Sequence, residues 1–265
     1  FSNAIVRFPS KSVVNGLSKN GLKPDFYALR NEHRIYVEKL AKLGLKMHVL
    51  NPLEAFPDSV FIEDPALTFE DGAILLRPGA QSRQGEQDEL RPTLHKMFQR
   101  VLELQRGTAD GGDVLRLQNE FLIGLSSRTN NLGAKELQAL LLKFDLKSRI
   151  VNTPTGVLHL KSDCSVLDEE TVFATPQIKA SKVFSDYRII VTPEDEPAAA
   201  NLLRINDKII LNLENRGAII KRYNPPMAYS DISERMSKII SAEAYAYYGH
   251  LYEDIEKLMD DDVRF

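Results

Sequence analysis

Four short stretches of this 265-residue chain repeat one design. "FEDGAILL" (Phe69–Leu76), "LQNEFLIG" (Leu117–Gly124), "LDEETVFA" (Leu167–Ala174) and "INDKIILN" (Ile205–Asn212) each join a polar turn to a short apolar strand. Three of the turns, at Asp71, Asn119 and Asp168, lie 48 or 49 residues apart, and the fourth, at Asp207, follows after 39. Each is a hairpin signal, Asp71-Gly72 the strongest. Helical patterns fall between them. "DFYALRNEHRIYVEKLAKLG" carries Leu29, Tyr36, Val37 and Leu40 on one face, with Gly44 placed as a stop. "NNLGAKELQALLLKF" repeats the pattern with Leu137, Leu140, Leu141 and Phe144. Such recurring units point to an α/β fold, a propeller-like ring of small modules around a central site. A doubly wound sheet is the rival architecture, and the tight hairpins, which demand antiparallel pairing, count against it.

After Leu211 the texture changes. "SDISERMSKIISAEAYAYYGHLYEDIEKLMDDD" sets Ile232, Met236, Ile239, Ile240, Tyr247, Leu251, Ile255 and Leu258 mostly three or four residues apart. That spacing predicts an amphipathic helix from about Ile232 to Met259. The chain therefore divides into a modular domain over 1–211 and a helical segment over 212–265, which packs on the fold or meets a partner.

Charge is nearly balanced, 34 Lys and Arg against 37 Asp and Glu, so no nucleic-acid or membrane-surface partner is expected. No apolar run approaches the roughly 18 residues of a membrane span, and no leader pattern opens the chain. One cysteine forbids an internal disulfide and fits a reducing compartment, so the expectation is cytoplasmic. The five histidines show no HxxxH spacing, and no metal site is expected.

Several motifs hold candidate chemistry. "FPDSVFIEDPAL" clusters Asp58, Glu63 and Asp64; on an extended segment Asp58 and Asp64 share a face and Glu63 opposes them. The ordinary reading is a solvated acidic loop. The functional one is a carboxylate set for a guanidinium, which pairs with carboxylates through two parallel hydrogen bonds. "GTADGGDVL" places Asp110 and Asp113 around two glycines, either as a tight turn or as part of a site. Arg77 and Arg83 in "RPGAQSRQGE" and Arg128 in "GLSSRTN" are ordinary surface residues or a grip on a substrate carboxylate.

"GVLHLKSDCSVL" holds the single cysteine, Cys164, five residues after His159. Read as a strand, it points the two side chains to opposite faces, roughly 17 Å apart along the chain. A helix would set them about 140° apart. Cys164 and His159 are therefore not expected to work as a nucleophile and its base.

Taken together, "FPDSVFIEDPAL", "LRPGAQSRQGE", "GTADGGDVL", "IGLSSRTN" and "LHLKSDCSVL" resemble, in order, the dimethylarginine dimethylaminohydrolase family of guanidino-group-modifying enzymes, over about Ala4 to Leu211. The resemblance implies a pentein-type αβ propeller with five modules, the last expected to be incomplete. It implies a hydrolase of arginine metabolism, an amidinohydrolase acting on C–N bonds, with a small guanidino substrate such as methylated arginine and no cofactor. It implies that His159 and Asp110 are catalytic, that Asp58, Glu63 and Asp64 surround the guanidinium, and that Arg83 and Arg128 hold the amino-acid end. In such enzymes a cysteine thiolate near the C-terminus attacks the guanidinium carbon, the histidine protonates the departing amine, and water releases citrulline.

Here the ending "EKLMDDDVRF" carries no cysteine, and Cys164 matches a non-catalytic position. Residues 213–265 instead resemble a segment of amidase-signature hydrolases that lies outside their Ser-Ser-Lys core, and a junction near Asn212 accounts for both resemblances. The readings left open are a dimethylarginine dimethylaminohydrolase-like enzyme, a catalytically silent guanidino-ligand binding protein, and a partner-binding fusion fragment.

Overall fold

Asp25 opens the first helix. Its carboxylate accepts from Ala28 N at 2.7 Å and caps α1 (Phe26–Lys42), and Gly44 follows the helix at a φ of 88°. In the computed structural model, which describes residues 1–18, 23–193, 196–213 and 217–222, α1 links β1 (Asn3–Arg7) to β2 (Lys46–Leu50), and the two strands pair in parallel.

Three modules of one pattern follow. Each is a hairpin, then a helix, then a third strand beside the hairpin's second strand. The first runs β3 (Ala66–Thr68), β4 (Ala73–Leu75), α2 (Glu86–Met97), β5 (Val101–Glu103), with β5 parallel to β4. The second runs β6 (Val114–Arg116), β7 (Phe121–Leu125), α3 (Asn131–Leu142), β8 (Ser148–Asn152), with β8 parallel to β7. The third runs β9 (Cys164–Val166), β10 (Thr171–Ala174), α4 (Pro176–Ser181), β11 (Arg188–Val191), with β11 parallel to β10. A last sheet differs: β12 (Leu203–Ile205), β13 (Lys208–Leu213) and β14 (Gly217–Arg222) are all antiparallel. The turns expected at Asp71, Asn119, Asp168 and Asp207 each fall between two paired strands. At Asp168 the carboxylate accepts from Glu170 N at 2.8 Å and closes the turn locally.

The residues form two compact units, one of Phe1–Leu115 and Asn119–Thr153, the other of Arg116–Gln118 and the chain from Pro154 onward. In the first, β4 is buried at every position. Ala73 and Leu75 pack with Leu90 and Leu94 of α2, while Ile74 and Leu76 join Leu137 and Leu141 of α3. A strand covered on both faces needs an unbroken apolar run, which "AILL" supplies. In the second unit β10 is buried throughout, with Phe173 1% exposed.

Three expectations need restating against these elements. "FPDSVFIEDPAL" is not extended: Ser59 N, Phe61 N and Asp64 N each donate to the carbonyl three residues back, so the face-sharing argument for Asp58 and Asp64 fails. The strand expected across Gly156–Leu167 covers only Cys164–Val166, because residues 160–162 close a 3-10 turn behind His159. Within the 212–265 segment residues 217–222 form β14, and the helix expected at 232–259 lies outside the described residues.

Candidate active site

The acidic motifs occupy one place in the modular pattern, the loop that enters each hairpin. Asp58, Glu63 and Asp64 precede β3, Asp110 and Asp113 precede β6, and His159 precedes β9. The loops that leave the second hairpin strands carry Arg83, after β4, and Arg128, after β7. The first unit knits its four loops together through backbone and side-chain hydrogen bonds.

Arg83 is the centre of the first knot and is 5% exposed. Its Nε and Nη2 donate to the two oxygens of Glu86 at 2.8 Å each, Nη1 pairs with Asp64, and Nη2 also reaches Phe61 O at 3.0 Å. The short i,i+3 spacing puts Glu86 in the first turn of α2, where the helix's own N–H groups favour a negative charge. Burial alone would lower the arginine's affinity for its proton. The hydrogen bonds and charge of Glu86, with the charge of Asp64, outweigh it and hold Arg83 above its ordinary value. Two buried acids thus share this guanidinium. Burial, reinforced by the charge of Asp64 and opposed by Arg83, leaves Glu86 above the usual carboxylate range.

Asp64 also ties this knot to the next loop. Its Oδ1 accepts from Gly112 N at 3.1 Å, and its carbonyl accepts from Gly111 N at 3.0 Å. The approach is so close that a Cβ on Gly111 would strike the carbonyl oxygen of Glu63. Asp110, 1% exposed, accepts from Gly79 N at 2.7 Å. Gly79 in turn lies against the backbone of Arg128, with no room for a side chain.

Asp113 is fully buried, and its Oδ2 accepts from the Ser126 hydroxyl at 2.6 Å and the Thr129 hydroxyl at 2.7 Å. Those hydroxyls accept in their turn: Thr129 Oγ1 from Asp110 N at 3.1 Å, and Ser126 Oγ from Arg128 N at 3.0 Å.

The remaining expected residues stand in different settings. Asp58 is 6% exposed and accepts from Leu17 N at 2.9 Å, which anchors the loop after β1. Glu63 is exposed; burial and then the charge of Glu63 push the Tyr36 hydroxyl of α1 up to about 12. Arg128 is half-buried, and among the described residues its guanidinium has no hydrogen-bond or ion-pair partner. So Asp64, Arg83, Asp110 and the backbone of Arg128 are joined through a continuous set of contacts, while Asp58 holds a neighbouring loop.

In the second unit His159 is half-buried, and its carbonyl accepts from Ser162 N at 3.0 Å. Cys164 has no exposed surface, its thiol donates to Leu160 O at 3.2 Å, and burial pushes its pKa well above the ordinary thiol value. A 3-10 turn, and not strand alternation, separates Cys164 from His159.

Sequence reasoning gave no role to Glu86, Ser126 or Thr129, and took Asp113 only as one acid of a tight turn or of a site. Two signals were present in the chain: an acid three residues after Arg83, and a Ser-x-x-Thr turn around Arg128.

A family model described as arginine deiminase matches residues 27–221. The N(G),N(G)-dimethylarginine dimethylaminohydrolase of Pseudomonas aeruginosa is 36% identical over 214 residues, 80% of this chain and 84% of that protein. A solved structure of that Pseudomonas enzyme, a cysteine-to-serine variant complexed with citrulline, matches with a TM-score of 0.78 and 33% identity, covering 90% of this chain and 89% of its own. The N-terminal domain of ArgZ, a cyanobacterial arginine dihydrolase, matches with a TM-score of 0.66 over 79% of this chain and 83% of its own; at 18% identity it speaks to the fold alone. The fold class is thus the α/β, propeller-like pentein type that the sequence predicts. With its repeated modules and the acidic loops that enter them, the chain belongs to the dimethylarginine dimethylaminohydrolase family, within the wider arginine deiminase group.

Proposed function

We propose that this chain recognises methylated arginine, or a closely related guanidine, at its acidic hairpin-entry loops, and that these 265 residues bind it without hydrolysing it. The carrying observation is the contrast between its groups. Asp64 and Asp110 are held by the loop network and Arg128 is uncommitted among the described residues, whereas the single thiol is sealed in the core.

Asp58, Glu63 and Asp64 supply negative charge for a guanidinium. Arg128, uncommitted among the described residues, is the better candidate for the ligand carboxylate, because Arg83 already serves Glu86, Asp64 and Phe61. Asp110 and His159 keep the residue types of an acid–base pair. Hydrolysis, however, requires a nucleophile to add to the guanidinium carbon before the C–N bond to the amine breaks. A guanidinium is a poor electrophile, and a buried neutral thiol does not attack it. The same reading places the protein in the cytoplasm, a reducing compartment that suits an unpaired cysteine.

The test incubates the purified chain with dimethylarginine and assays citrulline, beside a Cys164→Ser variant. Background citrulline from both supports the reading. Robust release that the variant abolishes makes Cys164 the nucleophile and overturns it.

A further inference from the structure

One carboxylate oxygen stands behind two of the residues assigned to the ligand. Asp113 Oδ2 receives the hydroxyls of Ser126 and Thr129 at 2.6 and 2.7 Å. A hydroxyl whose proton is committed to an anion presents its lone pairs in a fixed direction, and each here is used. Ser126 Oγ accepts from the backbone N–H groups of Arg128 at 3.0 Å and Thr129 at 3.2 Å, while Ser126 N donates to Thr129 O at 3.1 Å. The turn that carries Arg128 is thereby closed on both sides. Thr129 Oγ1 accepts from Asp110 N, and Asp113 N donates back to Asp110 O at 3.0 Å. Asn130 extends the same seam, donating to Thr108 O at 3.1 Å and capping α3 through Gly133 N at 2.9 Å.

We infer that Asp113 is a positioning residue for ligand selectivity: through Ser126 it sets where Arg128 stands, and so how strongly the site prefers a guanidine that bears a carboxylate. This rests on the functional reading above, which gives Arg128 the carboxylate. The half-buried arginine side chain has no hydrogen-bond or ion-pair partner among the described residues, so the direction of its Cα–Cβ bond comes from the turn. Asp113 is fully buried and doubly hydrogen-bonded, so the Ser126 and Thr129 hydroxyls both lose a partner when it goes. Thr129 carries the second branch, to Asp110.

Replacing Asp113 itself would leave the Ser126 and the buried Thr129 hydroxyls unpaired and disturb the module, so the test is placed on half-buried Ser126. Calorimetry measures binding of N-methylarginine and of agmatine, its counterpart without a carboxylate, to the wild-type chain and to Ser126→Ala, Ser126→Thr, Arg128→Ala and the Ser126→Ala/Arg128→Ala double variant. The expected result is that Ser126→Ala weakens N-methylarginine about fivefold and leaves agmatine within twofold. Ser126→Thr, which keeps the hydroxyl, restores the preference. In the Arg128→Ala background the second change adds nothing, since Ser126 acts through Arg128. Equal weakening of both ligands by Ser126→Ala, or full additivity with Arg128→Ala, overturns the inference. A wild-type chain that binds neither ligand removes the functional reading and this inference together. A wild-type chain that prefers N-methylarginine, with Ser126→Ala unchanged, removes this inference alone.

Discussion

The Glu86 carboxylate takes Nε and Nη2 of Arg83 in a single fork, 2.8 Å on each arm, with both side chains almost wholly out of solvent. Breaking one side of a buried pair strands the other charge, a loss of about 3 kcal/mol. Glu86→Gln should lose about that much stability, read as a lower urea midpoint at an unchanged slope. Arg83→Lys should cost a comparable amount, because an ammonium cannot reproduce the fork or reach Phe61 O as well. A midpoint unchanged in both variants would show that the pair contributes nothing to the fold.

Cys164 gives a pH dependence with a definite sign. Its folded pKa is raised, first by burial and then by the charge of Asp163, so the folded state keeps the proton longer than the unfolded one. Stability from the protonated thiol is complete below about pH 8.5 and falls as pH rises beyond it, by up to about 1.4 kcal/mol per unit. Tyr36, pushed up to about 12, begins to add the same trend only above about pH 10. Denaturation curves between about pH 8 and 9.5 should therefore slope downward in the wild type and flatten in Cys164→Ala. Identical slopes would contradict the burial of the thiol, as would rapid labelling of the native protein by a thiol reagent.

Gly111 is the third test. A methyl group there meets the carbonyl oxygen of Glu63, which belongs to backbone and cannot rotate away. Gly111→Ala should cost about 2 kcal/mol of stability and separate the Asp64 loop from the Asp110 loop. Thermal melting measures the first effect. Weaker binding of N-methylarginine measures the second.

The modular plan was legible because hairpin turns are local: Asp71-Gly72 and Asp168 carry their own turn chemistry, and the apolar strands follow at once. Helix α2 was not. It has few apolar positions and holds Pro92 in its middle, and what fixes it is Leu90 and Leu94 packing on Ala73 and Leu75. The parity argument for Asp58 and Asp64 assumed extended backbone, whereas Pro57 and Pro65 bracket a series of turns there. The candidate residues were legible by type, as acids and arginines in glycine-rich loops. Their assignments to partners were not: that Arg83 also meets Asp64, and that Asp113 faces Ser126 and Thr129, depends on how the loop entering a hairpin meets the loop leaving it.

On this reading the loop network recognises a guanidine carried on an amino acid. The most direct measurement is calorimetric titration of dimethylarginine into the 265-residue chain, with Arg128→Ala beside it. The account expects saturable one-to-one binding in the wild type and at least about a tenfold loss in the variant, the effect of removing one charge-assisted contact. Absence of heat in the wild type, or equal affinity in the two proteins, would contradict it.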